Sequence, residues 1–262
     1  MHKARQSGMT LLEILIALAV GSIVVGSVAT VYVSTVSSTG AMLSGSKLNQ
    51  ELAALMTVMA NDVRRAGYWG NTTIDDYRSP QSNPFAQLDN TALEVHDGNV
   101  PQGPTGAGDC IVYVYDADND GVLDDGDVRG FRLVGGVVQM RERGDTAANA
   151  VHDVCDDAED SWLDVTDGGL ISITALTFDL AGSACLNTSE PDGEEDGGDA
   201  AVVDDAPERD CYIVIPPAGG GDLTVETRSV AISVVGRLIN DASVIATLSQ
   251  DVRVRNDLVR VR

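Results

Sequence analysis

No charged side chain occurs between Ile14 and Ser46, and the first twenty residues of that run, Ile14 to Val33, are long and apolar enough to cross a hydrocarbon core as a helix. Lys3 and Arg5 precede the run, an asymmetry that keeps the leading residues cytoplasmic and sends the rest of the chain outward. Leu48, Leu52, Leu55, Met59 and Val63 then recur at three- and four-residue spacing among Asn49, Glu51, Asn61 and Asp62. This apolar stripe predicts an amphipathic helix that lays one face on a core. Its expected end is near Gly67, with Arg64 and Arg65 favourably placed at the carbonyl end of the helix dipole. Gly21, Gly26 and Gly40 are expected to bend or locally melt the helix.

After Gly70 the period changes from 3.6 to 2. Residues 110–115, 128–134, 137–142, 170–180, 211–215, 227–239 and 244–256 read as strands separated by Gly, Asp and Pro clusters. The last two flank Asn240-Asp241-Ala242-Ser243 and predict an antiparallel hairpin. The expected fold is α+β: a long N-terminal α-helix, transmembrane then amphipathic, packed on an antiparallel β-rich globular domain. No tandem repeat is evident, which disfavours solenoids and propellers.

Charge narrows the function classes. Lys and Arg total 17 against 40 Asp and Glu, a net charge of −23, so the phosphate-neutralising term that nucleic-acid binding needs is missing. Partners should be cations, water or protein surfaces. The four cysteines, Cys110, Cys155, Cys185 and Cys211, all follow the apolar run and none forms a C-x-x-C. Two disulfides in an oxidising compartment are expected. Three pairings are possible, with 110–155 and 185–211 preferred because sequential pairing closes local loops.

Glu13 is the anomaly of the apolar segment. A disposable secretory signal, with Ser27-Val28-Ala29 as its cleavage site, has no use for a carboxyl that costs about 2.5 to 3.5 kcal/mol at a membrane helix centre. Snorkelling to the headgroups is one way to tolerate it. The stretch SGMTLLEILIAL, residues 7–18, resembles the class III signal of type IV prepilins. That resemblance implies cleavage by a prepilin peptidase between Gly8 and Met9, methylation of the Met9 amine, and a fifth-position glutamate at Glu13. Met9 stands where phenylalanine is commonest in the family. In a filament the positive N-terminus of one subunit can lie near Glu13 of another, and pairing removes much of the burial penalty.

NDVRRAGYWGN, residues 61–71, resembles the element that follows the long helix in PilW-type minor pilins, with Asn61 where arginine is frequent. DVRVRN, residues 251–256, is similar to their closing strand. The resemblance implies a leader at 1–8, a transmembrane and polymerisation half-helix at 9–36, an amphipathic half at 37–70 and a periplasmic or extracellular β-rich domain at 71–262. It further implies an inner-membrane precursor that enters a type IV pilus at or near its tip. The implied partners are other minor pilins, the major pilin and a tip adhesin, and the implied role is to prime assembly.

In DADNDGVLDDGD, residues 116–127, Asp116, Asp118, Asp120, Val122, Asp124 and Asp127 stand at the spacing of a calcium loop. Alternate residues turn oxygens to one centre, Gly121 permits the turn, Val122 offers its carbonyl, Asp124 can hold a water, and Asp127 closes the shell in place of the usual glutamate. A solvated hairpin tip is the alternative. The acidic stretch 190–210 lacks ligand spacing and reads as a solvated loop. His2, His96 and His152 are scattered, and no catalytic motif appears, so no enzyme is expected. Two rivals remain open: a minor pseudopilin of a type II secretion system, and a membrane-anchored calcium-binding periplasmic module that does not polymerise.

Overall fold

A computed structural model of the chain describes residues 8–87, 91–144, 155, 161–187, 211–212 and 223–261. It divides into two compact units, Met1–Lys47 and Leu48–Arg262. Helix α1, Leu11–Val63, begins in the first and ends in the second.

In the first unit every described residue from 8 to 40 is exposed. Several hydroxyls of this apolar stretch bond within the helix: Ser22 donates to the Ala19 carbonyl, Ser27 to Ile23, Thr35 to Val31 and Thr39 to Thr35, each at 2.8 Å. Such bonds let hydroxyl side chains face an apolar surround. The helix runs through Gly21, Gly26 and Gly40 without a break, contrary to the expectation of local melting. Glycine weakens a helix by about 1 kcal/mol relative to alanine but keeps both backbone hydrogen-bonding groups.

The second unit is α+β. The sequence stripe is its helical core face: Leu48, Leu52, Leu55, Met56, Met59, Ala60 and Val63 are all buried. They meet two antiparallel sheets in one cluster that includes Ile111, Tyr113, Phe131, Ile173, Phe178, Ile232 and Val252. One sheet has six strands in the order β2-β1-β4-β5-β6-β7. These are β1 (Glu94–Asp97), β2 (Val100–Pro101), β4 (Cys110–Val114), β5 (Val128–Val134), β6 (Val137–Arg143) and β7 (Ser161–Asp164), with β3 (Ala107–Gly108) between β2 and β4 in the chain. The second sheet, β12-β11-β8-β3, adds β8 (Ile171–Asp179), β11 (Ser229–Leu238) and β12 (Ile245–Arg253). The third, β13-β10-β9, consists of β9 (Ala184–Asn187), β10 (Leu223–Thr227) and β13 (Leu258–Val261).

All five residues of β4 are buried, which explains its unbroken apolar sequence. Ile111 and Tyr113 face the helix, while Cys110, Val112 and Val114 join Phe85, Val128 and Cys155 in a second cluster. Gly236 lets the helix approach β11, since a Cβ there would lie 2.9 Å from a Leu52 methyl.

Three boundaries differ from the sequence reading. The helix ends at Val63, not near Gly67, because the Arg65 and Ala66 amides turn back to Asp62 and Val63 and the Gly67 amide crosses to the Val114 carbonyl. The predicted strand 227–239 is two strands broken at Arg228, where the chain leaves one sheet for another. The predicted strand 244–256 stops at Arg253, and β13 follows separately. Cys211 and Tyr212 lie in a turn; residues 213–215 of that predicted strand, the loop 190–210, the leader residues 1–7 and His152 lie outside the described residues. The hairpin around 240–243 forms, with Ile232 opposite Gln250. Disulfides join Cys110 to Cys155 and Cys185 to Cys211.

Candidate functional site

Two places carry the residues that the sequence singles out, the start of α1 and the joint where α1 ends. At the start, Thr10 precedes the first helical residue and Glu13 stands three residues on. The Glu13 amide donates to Thr10 Oγ1 at 3.3 Å, and the Thr10 amide and hydroxyl both approach Glu13 Oε2 at 3.4 Å. This is the reciprocal geometry of a capping box, which occupies helix-end donors otherwise left without partners. The T-x-x-E spacing was a signal the sequence reading missed. It gives Glu13 a local use, because a carboxylate in the first turn also opposes the positive end of the dipole. The contacts are long, and Gly8, Met9 and Glu13 are exposed, so the carboxylate remains accessible.

At the other end, Asp62 holds two tyrosines. Tyr113 donates to Asp62 Oδ2 and Tyr115 to Oδ1, each at 2.6 Å. Tyr113 and Tyr115 lie two residues apart, so one carboxylate receives both hydroxyls. Arg65 adds a hydrogen bond to the Tyr115 hydroxyl at 3.2 Å and stacks its guanidinium 4.0 Å from that ring. Burial, then the Asp62 charge, raises both tyrosine pKa values above the ordinary phenol value.

The chain beyond the helix is gripped from two sides. The Arg255 amide donates to the Arg64 carbonyl at 3.1 Å, and Asn256 Nδ2 donates to the Ala66 carbonyl at 3.0 Å. The closing segment thus supplies donors to carbonyls that the helix end leaves unpaired. On the other side, the Asp116 amide donates to the Tyr68 carbonyl, and Asp116 Oδ2 accepts from Gly70 and Gly121 amides, both at 2.9 Å. Asp116 Oδ1 accepts from Asn119 at 2.6 Å and Asp120 at 3.2 Å. Asp116 is wholly buried, and its four amide donors are what let an anion sit there. Gly70 is required by closeness: a Cβ would fall 2.3 Å from Asn119 Oδ1 and 2.5 Å from Asp116 Oδ2. Tyr68 closes the contact by donating to Asn119 Oδ1 at 2.8 Å.

The six loop positions separate into two groups. Asp116, Asp118 and Asp120 each bring a carboxylate oxygen within 4.8 Å of the others. Asp124 Oδ1 instead accepts from the Gly126 amide at 2.7 Å, and Asp127 accepts from Ala117 at 2.8 Å and Asp124 at 2.9 Å. Burial raises the Asp127 pKa. The Val122 side chain is exposed.

His96 is buried, with Nε2 3.5 Å from a Glu94 carboxylate oxygen. The third sheet carries an ionic cluster on its inner side: Glu226 pairs with Arg228 at 3.0 Å and Arg260 at 2.8 Å, and Tyr212 donates to it at 3.0 Å. It borders a cavity of about 240 Å³ with Leu93, Pro104 and Cys211.

Comparison with known families gives two matches. The family described as prepilin peptidase-dependent protein B matches residues 41–254, and the prokaryotic N-terminal methylation motif matches residues 3–29. No curated protein and no solved structure matches the chain.

Proposed function

Because the chain belongs to the prepilin peptidase-dependent protein B family, we propose that this pilin-type protein is a minor pilin of a type IV pilus, incorporated at or near the tip to prime assembly. The observation that carries the reading is the coincidence, within residues 3–29, of the methylation motif with an exposed helix that holds one acid in its first turn and is otherwise uncharged. The precursor anchors in the inner membrane, with the β-rich domain in the periplasm, and the assembled subunit reaches the cell surface. Residues 61–71 and 251–256 support the finer PilW-like likeness. Both lie at one joint, where the closing segment pairs with the carbonyls that follow the helix.

Cleavage after Gly8 leaves a cationic amine on Met9, four residues from Glu13. Among the described residues the Glu13 carboxylate makes long contacts with Thr10, at 3.4 Å. In a filament the amine of one subunit and the Glu13 carboxylate of another neutralise each other in an apolar surround, where an unpaired charge is costly. A misplaced subunit leaves both charges unpaired, so the pair sets register. The expected result for Glu13→Gln is normal processing with strongly reduced incorporation into pili. Wild-type incorporation of Glu13→Gln would overturn this mechanism. Co-purification with minor pilins and a tip adhesin supports the pilus assignment; co-purification with secretion-channel components favours a pseudopilin.

Calcium in the 116–127 loop belongs to the same proposal. The donor set suits a hard cation, since the exposed Asp118 and Asp120 carboxylates converge beside Asp116. Calcium added to the metal-free protein should raise its melting temperature, and Asp118→Asn together with Asp120→Asn should remove the response. An unchanged melting temperature at millimolar calcium, with no metal found by elemental analysis, would refute it.

A further inference from the structure

Aspartate followed by glycine is a peptide prone to rearrangement, because no Cβ on the glycine keeps its amide from the neighbouring carboxyl carbon. The chain carries this pair at residues 97–98, 120–121, 125–126, 167–168, 192–193 and 196–197; the last two lie outside the described residues. In three of the other four, a carboxylate from elsewhere holds the glycine amide. The Gly98 amide donates to Asp109 Oδ1 at 3.0 Å, the Gly121 amide to Asp116 Oδ2 at 2.9 Å, and the Gly126 amide to Asp124 Oδ1 at 2.7 Å. The Gly168 amide donates to nothing among the described residues. Asp167 and Gly168 are exposed, and Asp167 Oδ1 accepts from the Gly169 amide at 2.8 Å, which folds the carboxyl forward along the chain. Exposure does not separate the pairs, since Asp97 and Gly98 are exposed as well. The partner of the amide does.

We propose that Asp167–Gly168, in the turn between β7 and β8, is a site at which the folded chain modifies itself, by isomerisation of Asp167 to isoaspartate, and that the other three pairs are held against the same reaction. The Gly168 amide nitrogen bonds to the Asp167 side-chain carboxyl carbon, a carboxyl oxygen leaves as water with the amide proton, and a five-membered succinimide forms. Water then reopens the ring at either carbonyl, giving back aspartate or leaving isoaspartate. Nothing is oxidised or reduced, and water is the only other reactant. The nitrogen must give up its proton to react, and a carboxylate bound to that N–H both favours the protonated form and fixes its direction. Asp109, Asp116 and Asp124 therefore protect the pairs they hold. At Asp167 the consequence is structural, because its main-chain carbonyl accepts from the Leu170 amide at 3.0 Å and the Ile171 amide at 3.1 Å. In isoaspartate that carbonyl becomes a free carboxylate and the path to Gly168 gains a methylene, so the acceptor that leads into β8 is displaced.

The test incubates the purified full-length chain in warm, mildly acidic buffer, where part of each carboxyl is in the neutral form that reacts. Peptide fragmentation by mass spectrometry then follows isoaspartate, and the succinimide lighter by one water, at each of the four described pairs. The expected result is accumulation at Asp167 about tenfold or more faster than at Asp97, Asp120 or Asp125, because each of those amides must first break a hydrogen bond to a charged acceptor. In denaturant the four rates should converge. Asp109→Ala should free the Gly98 amide and raise the Asp97 rate about tenfold. Asp109→Asn keeps an acceptor and should hold that rate near the wild-type value, which distinguishes the lost bond from a general loosening of the fold. Equal rates at the four pairs of the folded chain, a faster rate at any of the three bonded pairs, or an Asp97 rate unmoved by Asp109→Ala overturns the proposal.

Discussion

Replacing Asp62 with asparagine tests the joint at the end of α1. The carboxylate accepts a hydroxyl on each oxygen, from Tyr113 and Tyr115 at 2.6 Å. Asparagine offers one acceptor, so one tyrosine must face an NH₂ donor. The loss of one charge-assisted bond costs about 1.5 to 3 kcal/mol, and the stranded hydroxyl adds about 1 to 3. Tyr113 is fully buried, so the sum for Asp62→Asn should be about 2.5 to 6 kcal/mol, a large share of the roughly 5 to 15 kcal/mol of a typical domain. Tyr113→Phe alone removes a bond but strands no donor on the ring, and should cost about 1.5 to 3 kcal/mol. In the Asp62→Asn background the same substitution removes the conflict and should cost nearly nothing. The coupling is then at least about 1.5 kcal/mol. Urea unfolding of residues 48–262, which contain both core clusters, measures it. Effects that add to within about 0.5 kcal/mol would refute the shared-carboxylate account.

Gly70→Ala should destabilise the same fragment by about 1 to 3 kcal/mol through overpacking against Asp116 and Asn119; a neutral result in urea unfolding would contradict the close approach. Burial raises the pKa of Tyr113, Tyr115 and Tyr212 above 10.0. The unfolded chain therefore releases these protons first, so their contribution is complete below pH 10 and is lost as pH rises, by up to about 1.4 kcal/mol per pH unit for each tyrosine. Unfolding measured between pH 9 and 11 should show that fall, and Tyr212→Phe should make it shallower. Removing the Cys185–Cys211 bridge with paired serines should cost about 3.5 kcal/mol in the chain-entropy description, and removing Cys110–Cys155 about 4. The sequence separations are 26 and 45; thermal melts would show whether the longer loop gives the larger loss.

The helical stripe and several strands were legible because each follows one period over many residues. Val128–Val134 falls where alternation and flanking turns place it. The strands missed or merged are short or meet another sheet. Leu223–Thr227 buries its polar Thr224 and Glu226, and alternation alone does not say which phase faces inward. The 116–127 spacing was visible, but not that Asp116 would grip Gly70 across 46 positions, since no local rule pairs a loop with a distant glycine. Tyr113 of β4 and Tyr115, just beyond its end, share a face by the period-2 rule; their common partner on α1 required the packing of helix on sheet. The T-x-x-E cap at Thr10 and Glu13 was legible but hidden by the apolar run that follows it.

The identity of the mature first residue tests the central claim most directly. Intact-mass and N-terminal peptide analysis of the chain from its native membrane should find it beginning at N-methylated Met9. A chain that begins at Thr30, or that keeps residues 1–8, would contradict the account, because no methylated amine would then stand four residues before Glu13.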